Sequence, residues 1–183
     1  MKRIDIIREI ARCNGLIVCN LGYPGRELFS VCDRSDTFYM MGSMGLAGSI
    51  GLGLSLSQEK RTYVIEGDGA LLMNPGSLVT IAHHAPENFC LVVIDNCAYG
   101  STGNQQTYTA GKTDLAALAR AAGNDVVTRV STTAELRNTI ECYSDTKAII
   151  IADAEPGNEP VGTITLKAVE IAQRFMKAVH AKE

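Results

Sequence analysis

The chain has no tryptophan, and Phe, Tyr and Trp together make up only 5% of its 183 residues. It also lacks an excess of positive charge. Lys and Arg number 17 against 20 Asp and Glu, a formal charge of −3, with no long basic block. Few stacking platforms and no cationic stripe leave little for a nucleic acid to grip, so no nucleic-acid partner is expected. Six cysteines are present (Cys13, Cys19, Cys32, Cys90, Cys97, Cys142), but none forms a Cys-x-x-Cys pair or a Cys/His set at zinc spacing. The common zinc and dithiol motifs are thereby set aside. No signal-peptide pattern is read at the start, so the thiols are expected to be reduced, in a cytoplasmic protein. No Gly-x-Gly-x-x-Gly links a first strand to its helix, which removes the dinucleotide-binding reading. No internal repeat or low-complexity tract is found.

What remains has ordinary globular composition, 46% hydrophobic and 20% charged. The length suits a single domain over residues 1–183 with its own core. Ile4, Ile7, Ile10 and Ala11 fall at helical spacing within Met1 to Cys13. Leu16 to Cys19 is the first buried strand. A loop from Asn20 to Gly25 leads into a helix from Arg26 to about Cys32. Short β-branched runs predict further strands at Phe38–Met40, Tyr63–Ile65, Leu91–Ile94, Asp125–Val130 and Ala148–Ala152. Helices are expected over Ala70–Ala85, Asp114–Ala122, Thr132–Tyr143 and Thr165–Ala181. This alternation predicts an α/β fold of three layers, a mostly parallel six-stranded sheet with helices on both faces.

Phe38 to Ser57 is uncharged over twenty residues, long enough to raise a membrane span. It holds five Gly and four Ser, and no second span accompanies it. Gly42, Gly45, Gly48 and Gly51 recur every third residue and predict one small face for close packing. The stretch reads as a strand, a turn and a buried helix, not as a membrane segment.

The chemistry gathers between Thr62 and Gln106. Gly67-Asp68-Gly69 and Asp95-Asn96 each follow an apolar run, so both lie at the carboxyl ends of strands, where open α/β sheets place ligands. Asp68 offers a carboxylate, Asn96 an amide oxygen and Ala98 a main-chain carbonyl, a set of hard oxygens suited to Mg²⁺. Gly67 and Gly69 lack the Cβ atoms that would hold a diphosphate off the backbone. The Gly69 and Ala70 amides open the next helix towards an anion. Asp68 and Asn96 meet only if their strands are close, with the intervening segment crossing over as a helix. Two structural turns are the plainer reading of the same residues. Cys97, between the proposed ligands, reads as a small residue in a tight turn. His83 and His84 sit at a helix end before Ala85-Pro86, away from this edge, and read as structural.

Gly67-Asp68-Gly69, with 26 residues between Gly69 and Asn96, resembles the cofactor motif of the thiamine-diphosphate-dependent 2-oxo-acid decarboxylase superfamily. That resemblance implies thiamine diphosphate and Mg²⁺ as cofactors, with Asp68, Asn96 and Ala98 as metal ligands. It implies contacts from Gly22 and Tyr23, and makes Gly42-Ser43-Met44-Gly45 the turn that holds the aminopyrimidine. Gly42 would accept from its amino group and Met44 would bend the cofactor, although Met44 alone reads equally as core filling. Tyr99 and Gly100 lie in a stretch that resembles the family's segment covering the cofactor. Arg26 could meet an anionic substrate or simply be a solvated helix residue.

One departure stands out. Pyruvate-type members carry a catalytic Glu six residues after the metal Asn, and here that position is Thr102. The substrate is therefore expected to be an anionic 2-oxo acid other than pyruvate. Ser101, Thr102, Asn104 and Gln105 offer hydrogen bonds to an oxyanion, or simply form a solvated turn. Within the superfamily the resemblance is closest to the sulfopyruvate decarboxylase family in its beta-subunit form. It implies 3-sulfopyruvate as substrate, with phosphonopyruvate as the alternative and a non-catalytic cofactor-binding module as the third reading. A pyrimidine-binding alpha subunit, in a hetero-oligomer, would supply the missing half of the site.

Overall fold

The apolar runs become strands buried on both faces. In the computed structural model, which describes residues 1–181, every residue of Leu16–Cys19 (β1) and Phe89–Asp95 (β4) is buried. Thr37–Tyr39 (β2), Thr62–Gly67 (β3), Val127–Val130 (β7) and Ala148–Asp153 (β8) complete a six-stranded, wholly parallel sheet in the order β2-β1-β3-β4-β8-β7. Uninterrupted Val, Ile and Leu are what a parallel sheet covered on both sides requires.

Side-chain alternation divides the core into two layers. Ile17, Ile65, Val92 and Ile150 face Arg3–Ala11 (α1), Tyr23–Val31 (α2) and Thr133–Cys142 (α7). Val64, Leu91, Val93 and Ile149 face Ala47–Ser57 (α3), Asp68–Met73 (α4), Ser77–His84 (α5) and Leu115–Ala121 (α6). The last helix, Ala168–His180 (α8), places Phe175 against Phe38 beside β2. A separate antiparallel hairpin, Ala98–Tyr99 (β5) with Gln105–Gln106 (β6), rises from the end of β4 and runs into a 3₁₀ turn at Tyr108–Ala110.

Three local expectations are corrected. Helix α2 starts at Tyr23 rather than Arg26, because Pro24 in a first turn needs no amide donor. The crossover from Ala70 to Ala85 is two helices, broken at Asn74-Pro75-Gly76, where the Asn74 side chain donates to Gly45 O at 3.1 Å. The four glycines do not form one face, since α3 begins at Ala47 and only Gly48 and Gly51 of the four lie on it. The close approach is real at Gly51, where a Cβ would fall 2.1 Å from Val64 Cγ2. Among the described residues no helix is long and apolar enough to cross a membrane.

Candidate active site

Register brings the motif together. Strands β3 and β4 are direct neighbours, and Gly67 pairs with Ile94, so Asp68 emerges beside Asp95 and Asn96. The chain then reverses at Cys97, whose φ of 57° lies in the left-handed region. This turn folds the Ala98 carbonyl back over Asn96. The Asn96 amide atom that faces Asp68 lies 2.9 Å from Ala98 O and 3.2 Å from Asp68 Oδ1. Without a cation the NH₂ end fits there, donating to both oxygens.

This corner matches a small hard cation. Mg²⁺ bonds to oxygen at about 2.0–2.1 Å in an octahedron, which sets adjacent ligand oxygens about 3 Å apart. With its amide oxygen turned inward, Asn96 would meet that spacing against both neighbours. Among the described residues no group of three or more His, Cys, Asp or Glu is placed to hold a metal. The donors here are one carboxylate, one amide and one carbonyl, the wrong set for zinc and the right one for magnesium.

Asp68 is buried at 2% exposure, and burial raises its pKa, with the nearby Asp95 charge adding to the rise and the Thr107 hydroxyl opposing it. A carboxylate pressed towards neutrality beside a second carboxylate is a place where a cation is favoured. Arg129 contributes little, lying 3.8 Å from Asp95 while bonded to Asp153 at 2.8 Å.

A cavity of about 210 Å³ opens over this corner. It is smaller than the roughly 300–1,000 Å³ usual for a pocket that encloses a ligand. Tyr23, Met44, Gly67, Asp68, Gly69, Ala70, Asn96, Ala98, Tyr99, Gly100 and Thr102 line it, all expected from the sequence. Gly22, Gly42 and Ser43 are outside the lining. Gly22 sits against Ser101, while Gly42 and Ser43 form an exposed turn in which Ser43 has a φ of 61°. Gly69 is needed for a reason other than the expected one. A Cβ there would lie 2.3 Å from Cε1 of Tyr99, so the glycine makes room for the tyrosine ring. Thr102 is exposed, and its hydroxyl donates to Gln105 Oε1 at 2.9 Å.

Sequence reasoning missed several groups. Asn20, at the end of β1, and Arg3, on the first helix, both line the cavity. Arg3 is buried and pairs with Glu27 through two bonds of 2.9 and 2.6 Å. Arg26 stands instead over the Tyr23 ring, 5.2 Å from its centroid, and does not line the cavity. Thr107 and Thr109 bond to the Asp68 and Asp95 carboxylates. Asn20 carried a signal, a polar residue at a strand's carboxyl end. The threonines carried none. His83 and His84 are exposed at the end of α5, away from the cavity, as expected.

Comparison with known proteins agrees with this geometry. Residues 25–152 match the family described as thiamine pyrophosphate enzyme, C-terminal TPP binding domain. The chain is 47% identical to the sulfopyruvate decarboxylase subunit beta of Methanocaldococcus jannaschii, covering 97% of each chain. It is 34% identical to the phosphonopyruvate decarboxylase of Streptomyces viridochromogenes, covering 93% of this chain but 43% of that one. A putative thiamin diphosphate-dependent enzyme from Mycobacterium smegmatis shares the fold, with a TM-score of 0.69 at 16% identity over 86% of this chain and 32% of that one. The motif at the ends of β3 and β4 and the match across most of the sheet lead to one conclusion: the chain belongs to the thiamine pyrophosphate enzymes, as their C-terminal TPP binding domain.

Proposed function

We propose that the chain is the diphosphate-binding subunit of a decarboxylase that converts 3-sulfopyruvate to sulfoacetaldehyde and CO₂, in coenzyme M biosynthesis. One observation carries the reading: Asp68 Oδ1, the Asn96 amide and the Ala98 carbonyl converge on one corner at the ends of neighbouring strands. These three would hold Mg²⁺, and the Mg²⁺ would hold a diphosphate. Amides of Gly69 and Ala70, at the start of α4, would be available to the same anion. When bound, thiamine diphosphate supplies the electron sink that lets a 2-oxo acid lose CO₂.

The chain's own residues bind and orient. With the cofactor bound, Met44 would pack against it from the cavity wall, and the Gly42-Ser43 turn, which lies outside the lining of the ligand-free chain, would offer the Gly42 carbonyl to an amino group. Tyr99 and Gly100, in the cavity wall, would cover a bound diphosphate and keep water from it. Gly22 and Tyr23 close the side nearest β1, and Thr102 stands at the rim that meets substrate.

The whole chain, residues 1–183, acts as one diphosphate-binding domain, and a pyrimidine-binding alpha subunit completes the site in a cytoplasmic hetero-oligomer. Two observations support a partner: the open cavity, and the much greater length of the Streptomyces relative, of which this chain covers 43%. The same relative supports phosphonopyruvate as the second substrate reading, while the higher identity to the Methanocaldococcus protein favours the sulfonate.

Calorimetric titration of thiamine diphosphate with Mg²⁺, into the chain alone and with the partner subunit, tests this. Binding that tightens with the partner and vanishes in Asp68→Ala supports the reading. Turnover of 3-sulfopyruvate over phosphonopyruvate by the complex then settles the substrate. Absence of binding in both mixtures rejects it.

A further inference from the structure

Two threonines join the hairpin to the proposed metal corner. Thr107 follows β6 directly, and its Oγ1 donates to Asp68 Oδ2 at 2.5 Å. Its backbone amide donates to Cys97 O at 3.0 Å. Thr109 Oγ1 lies 2.7 Å from Asp95 Oδ1, 3.0 Å from Asp68 Oδ2 and 2.8 Å from Thr107 Oγ1. Each hydroxyl has one proton to give. The shortest contacts assign the Thr107 proton to Asp68 and the Thr109 proton to Asp95. Asp68 Oδ2 is thereby engaged, and Oδ1 is the oxygen left facing Asn96.

Both feet of the hairpin stand on this corner. Strand β5 begins at Ala98, whose carbonyl is one of the converging oxygens, and β6 ends one residue before Thr107. Between the feet, residues 101–106 are exposed. The geometry points to Thr107 and Thr109 as positioning residues that aim Asp68 at the cation and couple its binding to the seating of the hairpin over the cavity. This rests on the reading of Asp68, Asn96 and Ala98 as Mg²⁺ ligands. A cation that draws Asp68 and Ala98 together holds both feet at once, and linkage makes the effect reciprocal: a seated hairpin binds the cation more tightly by the same factor. Outer groups that orient metal ligands typically change affinity 10–100-fold when removed.

The test compares wild type, Thr107→Val, Thr107→Ser and Thr109→Val, each as the full chain with its partner subunit. Two quantities are read: the Mg²⁺ concentration for half-saturation with thiamine diphosphate present, and amide hydrogen exchange over residues 99–106 with and without Mg²⁺. Each valine is expected to raise the Mg²⁺ requirement by about 10–100-fold. Each should also remove the slowing of exchange that Mg²⁺ confers on the wild type, and Thr107→Ser should restore both. If buried Thr107→Val fails to fold, half-buried Thr109→Val carries the test. A folded Thr109→Val with unchanged Mg²⁺ affinity, or wild-type exchange indifferent to Mg²⁺, overturns the coupling while leaving the ligand assignment standing. A wild type that takes up no Mg²⁺ with thiamine diphosphate overturns both.

Discussion

The two ends of the parallel sheet solve opposite electrostatic problems. At the amino ends of the strands the preceding helices finish, and their last carbonyls need donors. Arg61 bonds the carbonyls of Glu87, Tyr143 and Thr146. Asn88 spans those of Ser55, Gln58 and Lys60, and Arg34 those of Ala11, Cys13 and Gly15. Every one of these contacts is an N–H donor meeting a carbonyl. At the carboxyl ends Asp68 and Asp95 are buried, and their shortest contacts are to hydroxyls rather than to cations. Among the described residues, the three non-glycine residues with positive φ, Ser43, Cys97 and Asn104, also lie at this end. Such conformations cost about 1–2 kcal/mol each and persist where the surroundings impose them. One end is thus finished by N–H donors on carbonyls, while at the other two buried carboxylates stand close together, with hydroxyls as their nearest partners and Arg129 no nearer than 3.8 Å to Asp95.

Asp68→Ala puts that contrast to its severest test. It should weaken Mg²⁺-dependent cofactor binding by at least about 100-fold, yet thermal unfolding of the ligand-free chain should come no earlier. A large loss of stability would mean that Asp68 is a structural residue like Arg61. The converse substitution, Arg61→Ala, should cost about 1–2 kcal/mol in urea unfolding, because it removes the donor from two half-buried carbonyls and an exposed one. Cofactor binding by the folded fraction should be unchanged.

Glu66 tests the boundary between the ends. It is buried at 1% exposure, and burial lifts its pKa from 4.5 to about 7, against backbone amides that favour the charged form. The folded chain thus holds this proton more tightly than the unfolded chain. The resulting stability is complete below about pH 4.5 and is lost as the pH rises through 7. Glu66→Gln should flatten that decline and stabilise the chain at pH 8 by up to about 3 kcal/mol, read by denaturant unfolding across pH. The smallest effect expected is that of Cys97→Gly, which relieves the left-handed turn and should raise stability by about 1 kcal/mol or less.

Legibility of the site followed the distance over which each interaction acts. The strands were visible because β-branched runs between turn residues act locally, and their ends located Asp68 and Asn96. Met44 and Tyr99 became visible only through resemblance to a family. Arg3 was not visible, since its place at the cavity depends on α1 packing beside α2 and on Glu27. Thr107 and Thr109 were not visible because 39 residues separate Thr107 from Asp68, and only the hairpin closes that gap. The glycine spacing misled for the same reason: a period of three describes a face only where a helix exists, and α3 begins after Gly45.

The sequence by itself determined the elements and the kinds of donor available, because burial of short apolar runs and the chemistry of oxygen ligands are properties of residues and their near neighbours. The tertiary structure alone decided that β3 lies beside β4 with Gly67 opposite Ile94. It also decided that Cys97 turns a carbonyl back towards Asn96, and that the Thr107 hydroxyl engages the outer oxygen of Asp68 with Thr109 beside it. Those are relations between segments distant in the chain, set by how two layers of helices and one sheet fill space together. No window of sequence contains them.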